Sequence, residues 1–571
     1  MSGTLPGQAR RRPGRVDLFG ALVLALLVLV ALFLALPLGM AVLRTLGEAS
    51  AGADALLKSF ESGTLPKVLR NTAVVVLGGA AIATVAGALL AFVNERTDGT
   101  LGAAGELLPL SPMIVPPIAG VIGWAILLDP SVGLLNHPLR GLLAAVGIEV
   151  TEGPLDIYTG TGLVCVTGLY LVPYVYLVVA AALRGFDPAL DEASRVSGAP
   201  PLRTMLRVTL PAVRPALVAA ALMAVIAGIG LFSVPIVLGT AARMDVISVH
   251  VYRLFDQFPP QTAAGLMLSA AMVVVVQCLL LAQRWMLPPD RHAMIGGRGS
   301  RNAPIRLGRW RRPAQALAIA YLATTSVLPV GGLLVVSLQA FWTPEISVGQ
   351  FTLDNYAFVL FDNGPTSRAF VTSLGLGAAT ATAAVLVAAL LLFGARLRQG
   401  RIARAADAVL ALPAALPHTV IGIAFLITFT AAPFKLYGTV TILFLAYLAM
   451  ALPFAARAAA SAAGSVGADV GEASRIAGAG PGRTFARVLL PLALPGLVAG
   501  WIIVFIHTAG EVTASSLLGG ARNPVIGRVM TELWVFGSFP QLAAMSIVVT
   551  LVTSAGVACM LLLTRRATLR S

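Results

Sequence analysis

Charge is scarce in this sequence: 11% of the 571 residues are Asp, Glu, Lys or Arg, while 58% are hydrophobic. A soluble domain carries about 25% charged residues, so a water-facing globule is excluded and a lipid-embedded chain is indicated. Cysteine is scarcer still. Cys165, Cys278 and Cys559 fall in or near different apolar runs, which excludes a disulfide framework and leaves them as packing residues. Histidine occurs five times, at 137, 250, 292, 418 and 507, with no H-x-x-x-H and no Cys/His cluster. No metal site follows from that spacing. Lysine appears only as Lys58, Lys67 and Lys435, none of them after a glycine. A phosphate-cradling G-x-x-x-x-G-K-[ST] loop is therefore absent, and the chain cannot perform ATP chemistry itself.

Long apolar runs are what the sequence has instead. A stretch of about 20 such residues crosses a bilayer as a helix, and about twelve are expected, at 18–43, 69–93, 107–128, 162–183, 212–239, 264–286, 314–339, 370–393, 406–430, 437–460, 492–518 and 542–564. Pro112, Pro116 and Pro117 in the third run, and Pro413 and Pro417 in the ninth, predict broken helices, which survive only inside protein or beside a water-filled cavity. The first run is too long for a removable signal and reads as a retained helix.

Most of the 40 basic residues fall on one side if the N-terminus is cytoplasmic, so both termini are expected inside. The net charge of +15 then reflects that bias and attraction to lipid headgroups, with no nucleic acid implied. The reading divides the chain into a basic tail (1–17), a first membrane domain (18–286), a basic linker (287–313), a second membrane domain (314–564) and a tail (565–571).

The two domains repeat one another. "DEASRVSGAPPLRTMLRVTLP" at 191–211 returns as "GEASRIAGAGPGRTFARVLLP" at 471–491, a shift of 280 without a gap. Pro173 falls on Pro453, and Pro260-Gln261 on Pro540-Gln541. Six helices per half place both copies in the same orientation, so this is a parallel repeat. Each copy reads as a helix, a break at Gly198 or Gly478, and a second helix leading to Pro211 or Pro491. A polar loop needs no such repetition, since loops are the segments freest to vary. One docking surface per half, for a two-fold partner, accounts for both copies.

These segments resemble the E-A-A-x-x-x-G…L-P cytoplasmic loop of ATP-binding-cassette (ABC) importer permeases, with Ser194 and Ser474 standing at the third position. The resemblance covers nearly the whole chain. It implies an all-α integral membrane protein of two tandem six-helix type I importer permease domains in a bacterial inner membrane. It implies coupling residues at Glu192, Ala193, Ser194, Gly198 and Arg203, and at Glu472, Ala473, Ser474, Gly478 and Arg483. The implied partners are an ABC ATPase homodimer on the cytoplasmic face and an extracytoplasmic solute-binding protein. ATP and Mg then belong to the ATPase; the chain itself is a transport subunit, not an enzyme, and binds no cofactor.

Cargo is read from "FIHTAGEVTASSLLGG", where His507 and Glu511 stand four apart on one expected helical face. They either pair with each other or line the substrate path. The stretch resembles in part the E-L-P-A-T-L-L-L-R-P segment of ferric-iron importer permeases, through Glu511, Ala514, Leu517 and Leu518. Ferric iron is the expected cargo, with polyamine, thiamine or an organophosphonate as alternatives. An ion-coupled secondary transporter is the alternative class, because 6+6 parallel repeats occur there too. A membrane-embedded enzyme is disfavoured, since no nucleophile–base constellation is visible.

Overall fold

The computed structural model describes residues 18–102, 105, 108–185, 190, 193–194, 196–199, 201–286, 304–362, 364–398, 400–466 and 468–568. Among them ten helices are long and apolar enough to cross a membrane, and two sharply bent pairs raise the number to twelve. In the first half these are α1 (Leu18–Gly47), α2 (Thr64–Arg96), α3 (Pro117–Leu128), α4 (Gly160–Arg184), α5 (Leu210–Gly230) and α6 (Thr262–Met286). Their counterparts are α7 (Gly308–Ser337), α8 (Pro365–Arg398), α9 (His418–Thr430), α10 (Val440–Ser465), α11 (Leu490–Ala509) and α12 (Phe539–Thr568). Strand structure among the described residues is confined to two isolated bridges.

The repeat extends to local chemistry. Thr159 caps α4 by accepting from the Gly162 amide at 3.1 Å, and Thr439 caps α10 by accepting from Ile442 at 3.4 Å. Each cap satisfies an amide that helix geometry orphans. Internal prolines recur at the same 280-residue shift, as Pro173 and Pro453 in α4 and α10, then Pro215 and Pro495 in α5 and α11.

Two apolar runs end sooner than their composition suggests. The run expected at 212–239 stops as a helix at Gly230, with 235–239 forming a separate turn. The run expected at 492–518 stops at Ala509, and Thr513–Leu518 is a short helix of its own. Hydropathy continues through both breaks while the backbone turns, which is tolerable in a membrane only where protein surrounds the freed polar groups.

The expected breaks at the prolines are present in both halves. Leu108–Ile114 meets α3 at 98°, and Arg401–Ala415 meets α9 at 99°. Each break leaves a carbonyl without its helical donor, and the other half supplies one. Thr553 of α12 donates to the Ile114 carbonyl at 2.8 Å, while Gln277 of α6 donates to the Ala415 carbonyl at 2.9 Å. The acceptors are equivalent positions, shifted by 301, because the first half carries a longer connection with an extra helix, Asn136–Ala145, between α3 and α4.

The first helix of each half also packs on the other half. α1 lies against α8 and α9, and α7 lies against α3. The end of the linker is stitched to the first half as well: Ile305 donates to the Arg96 carbonyl at 2.9 Å, and the Leu307 amide donates to Asp98 at 2.8 Å. The halves are interlocked on several levels.

Candidate functional site

The twin polar segments keep one geometry. Gly198 has φ +80° and Gly478 φ +82°, the left-handed conformation that ends a helix where a Cβ is disfavoured. Beyond each glycine the chain folds back, the Ala199 amide donating to Ser194 and the Ala479 amide to Ser474, both at 3.1 Å. Five-residue π turns follow at Met205–Thr209 and Phe485–Leu489, directly before Leu210-Pro211 and Leu490-Pro491. A proline has no amide to give the carbonyl four residues back, so a local shift to i→i+5 bonding accommodates it.

Ser194 and Ser474, the departures from the E-A-A pattern, now have a physical role. Ser194 Oγ lies 2.9 Å from Thr204 Oγ1, and Ser474 Oγ lies 3.0 Å from Thr484 Oγ1. Both threonines are buried. An alanine at the third position would leave each buried hydroxyl without this partner, and the serine instead pins the first short helix to the second.

Of the other expected residues, Ala193, Arg203, Glu472, Ala473 and Arg483 are exposed, as a docking surface requires. Glu192 lies outside the described residues. The sequence reading passed over Val196 and Ile476, which are 89% and 88% exposed at equivalent positions. The gapless repeat pairs them, and an apolar residue at the same place in both polar copies is the signal in the sequence.

A second polar site lies in the second half only. His418 at the start of α9, Tyr447 and Phe454 of α10, and His507, Thr508 and Glu511 line one cavity. His507 and Glu511 do not share a helical face, because α11 ends at Ala509. Nor does Glu511 turn to His507. Its carboxylate accepts from the Ala514 amide at 2.9 Å and the Ser515 amide at 3.0 Å, while Ser515 also meets the Tyr447 hydroxyl at 2.6 Å. Glu511 thus holds the first turn of Thr513–Leu518.

His507 is instead exposed and stands beside His418, with ring centroids 5.8 Å apart, and its ring stands edge-on to Phe454 at 4.4 Å. His418 was not expected at this site. It follows Pro417 at the break, and its counterpart under the 301-residue shift is Pro117. Comparing that pair, rather than the 280-residue shift alone, would have flagged it. Among the described residues no three His, Cys, Asp or Glu side chains cluster as a metal site.

The model of the family described as "Binding-protein-dependent transport system inner membrane component" matches the chain twice, over residues 83–288 and 381–568. The chain belongs to this family. It carries two copies of the permease domain in one polypeptide. Within the family, a ferric transport system permease protein of Actinobacillus pleuropneumoniae is 23% identical over 452 residues, covering 78% of this chain and 63% of that protein. The chain thus spans less than two thirds of that relative. A molybdenum transport system permease protein of Mycobacterium tuberculosis is 32% identical over 185 residues, covering 30% of this chain and 70% of that protein. A spermidine/putrescine transport system permease protein of Salmonella typhimurium is 32% identical over 121 residues, covering 21% and 42%.

Proposed function

We propose that this chain is a two-half permease of an ABC importer, carrying ferric iron from an extracytoplasmic binding protein into the cytoplasm. The observation that carries the importer reading is the twin segment, repeated down to the glycine torsion and the Ser–Thr bond. An ATPase dimer is two-fold symmetric and needs two like contacts, so a fused permease encodes both. In this reading the termini and both segments face the cytoplasm, following the basic-residue bias, and ATP with Mg is bound by the partner.

Nucleotide-driven closure of the ATPase draws the two segments together. Because α1 and α7 cross to the opposite half, and because Thr553 and Gln277 bond to the opposite break, that movement is passed to the broken spans. Rocking of the halves then exposes the seam between them to alternate sides. Cargo passes His507, with Glu511 holding the wall of the path.

Iron is supported by the long match to the Actinobacillus ferric permease and by a small cavity with two histidines and no lysine or arginine in its lining. The test is reconstitution of the chain in liposomes with the ABC ATPase and the binding protein that co-purify with it. ATP-dependent uptake of ferric iron is the expected result. Uptake of polyamine or molybdate without iron would remove the cargo assignment, and uptake that proceeds on an ion gradient without any ATPase would remove the importer reading.

A further inference from the structure

We infer that His418 and His507 together form a transit site for a first-row transition-metal cation, placed at the seam between the two halves. The inference rests on the importer reading only in calling that cation the cargo.

Distance comes first. A cation about 2.1 Å from one nitrogen of each of two imidazoles lies about 3.2 Å from each ring centre, so rings sharing a cation stand at most about 6.4 Å apart. His418 and His507 are 5.8 Å apart with a 32° tilt. Phe454, edge-on to His507 at 81°, limits how that ring can turn.

Donor chemistry follows. The Glu511 carboxylate is engaged by the Ala514 and Ser515 amides, and the two imidazoles supply the nitrogen donors that line this cavity. Imidazole suits iron, zinc, copper and nickel. No lysine or arginine lines the cavity, so an oxyanion finds no counter-charge there. The space beside the two rings has room for about one water molecule, enough for a dehydrated cation. Two protein ligands rather than four hold a cation weakly. That weakness suits a path, where binding has to permit departure.

Position completes the argument. Pro417, directly before His418, packs beside Gly230 of the first half, and Gly510, three residues after His507, packs beside Pro116. The imidazole pair therefore borders the surface along which the halves separate. At the equivalent positions the first half has Pro117 and Ala227, so one half alone carries the site.

The test uses Co²⁺ as probe on the full chain in lipid nanodiscs, purified without a polyhistidine tag, with the visible absorption of imidazole-bound cobalt as readout. The wild-type chain is expected to show the band. His418→Ala and His507→Ala are each expected to weaken Co²⁺ binding at least tenfold, and the near-isosteric His507→Asn to do the same with helix content unchanged. His137→Gln, outside the cavity, is expected to bind as the wild type does. Wild-type affinity in the His418 and His507 variants, or no band in the wild type, overturns the site. Because no ATPase is present, such a failure leaves the importer reading standing. A normal cobalt band in a chain that never associates with an ATPase overturns the importer reading and leaves the site.

Discussion

The two halves agree closely around the twin polar segments and differ sharply inside the membrane. At the segments, Gly198 and Gly478 share a torsion, Ser194–Thr204 and Ser474–Thr484 share a bond, and Val196 and Ile476 share an exposure. In the interior, His507, Glu511, Tyr447 and Phe454 face Ala227, Leu231, Thr167 and Tyr174 as counterparts. Symmetry persists where a two-fold partner would read it. It lapses at the cavity that the second half alone lines with histidine and glutamate.

That contrast can be broken experimentally, and the glycines offer the largest effect. Gly198→Asp or Gly478→Asp puts a side chain into a left-handed conformation that glycine adopts most readily and adds negative charge to the exposed turn. Transport is expected to fall at least tenfold, with the protein still in the membrane; full transport with both changes would contradict the coupling role. Val196→Asp with Ile476→Asp is expected to release the ATPase on co-purification, and either change alone to weaken it by a comparable, smaller amount. A strongly unequal pair would mean that the halves are not read alike.

Smaller effects sharpen the comparison. Ser194→Ala with Ser474→Ala leaves two buried threonine hydroxyls unpaired, about 1–3 kcal/mol each. Cargo moved per ATP is expected to drop several-fold while ATPase binding is kept, and Ser194→Thr with Thr204→Ser, which retains a hydroxyl pair, to recover part of it. The smallest change concerns the caps. Thr159→Ala and Thr439→Ala are each expected to cost about 1 kcal/mol and to lower the thermal unfolding midpoint in detergent by similar amounts.

Much of the fold was legible because apolar runs, prolines and the 280-residue repeat are all linear signals. The broken third and ninth spans could be read from Pro116-Pro117 and Pro417, since a proline removes a donor wherever it stands. The ends of α5 and α11 could not, because "GLFSVPIVLG" and "VTASSLLGG" stay apolar while the chain turns. At the twin polar segments the residue types were legible and the serine–threonine bonds were not: ten residues separate each pair, and only the turn at the glycine brings them together. The cavity was the least legible part. His418 and His507 belong to different helices, and Glu511 was expected beside His507 until the end of α11 placed it against the backbone of Thr513–Leu518.

The most direct test of the central claim is native mass spectrometry of the chain purified in mild detergent from its own membrane. One copy of this permease with two copies of an ABC ATPase is the predicted stoichiometry, reduced to the bare permease by Gly198→Asp with Gly478→Asp. A transport-active preparation without an ATPase, or an assembly unaffected by both glycine changes, would contradict the account.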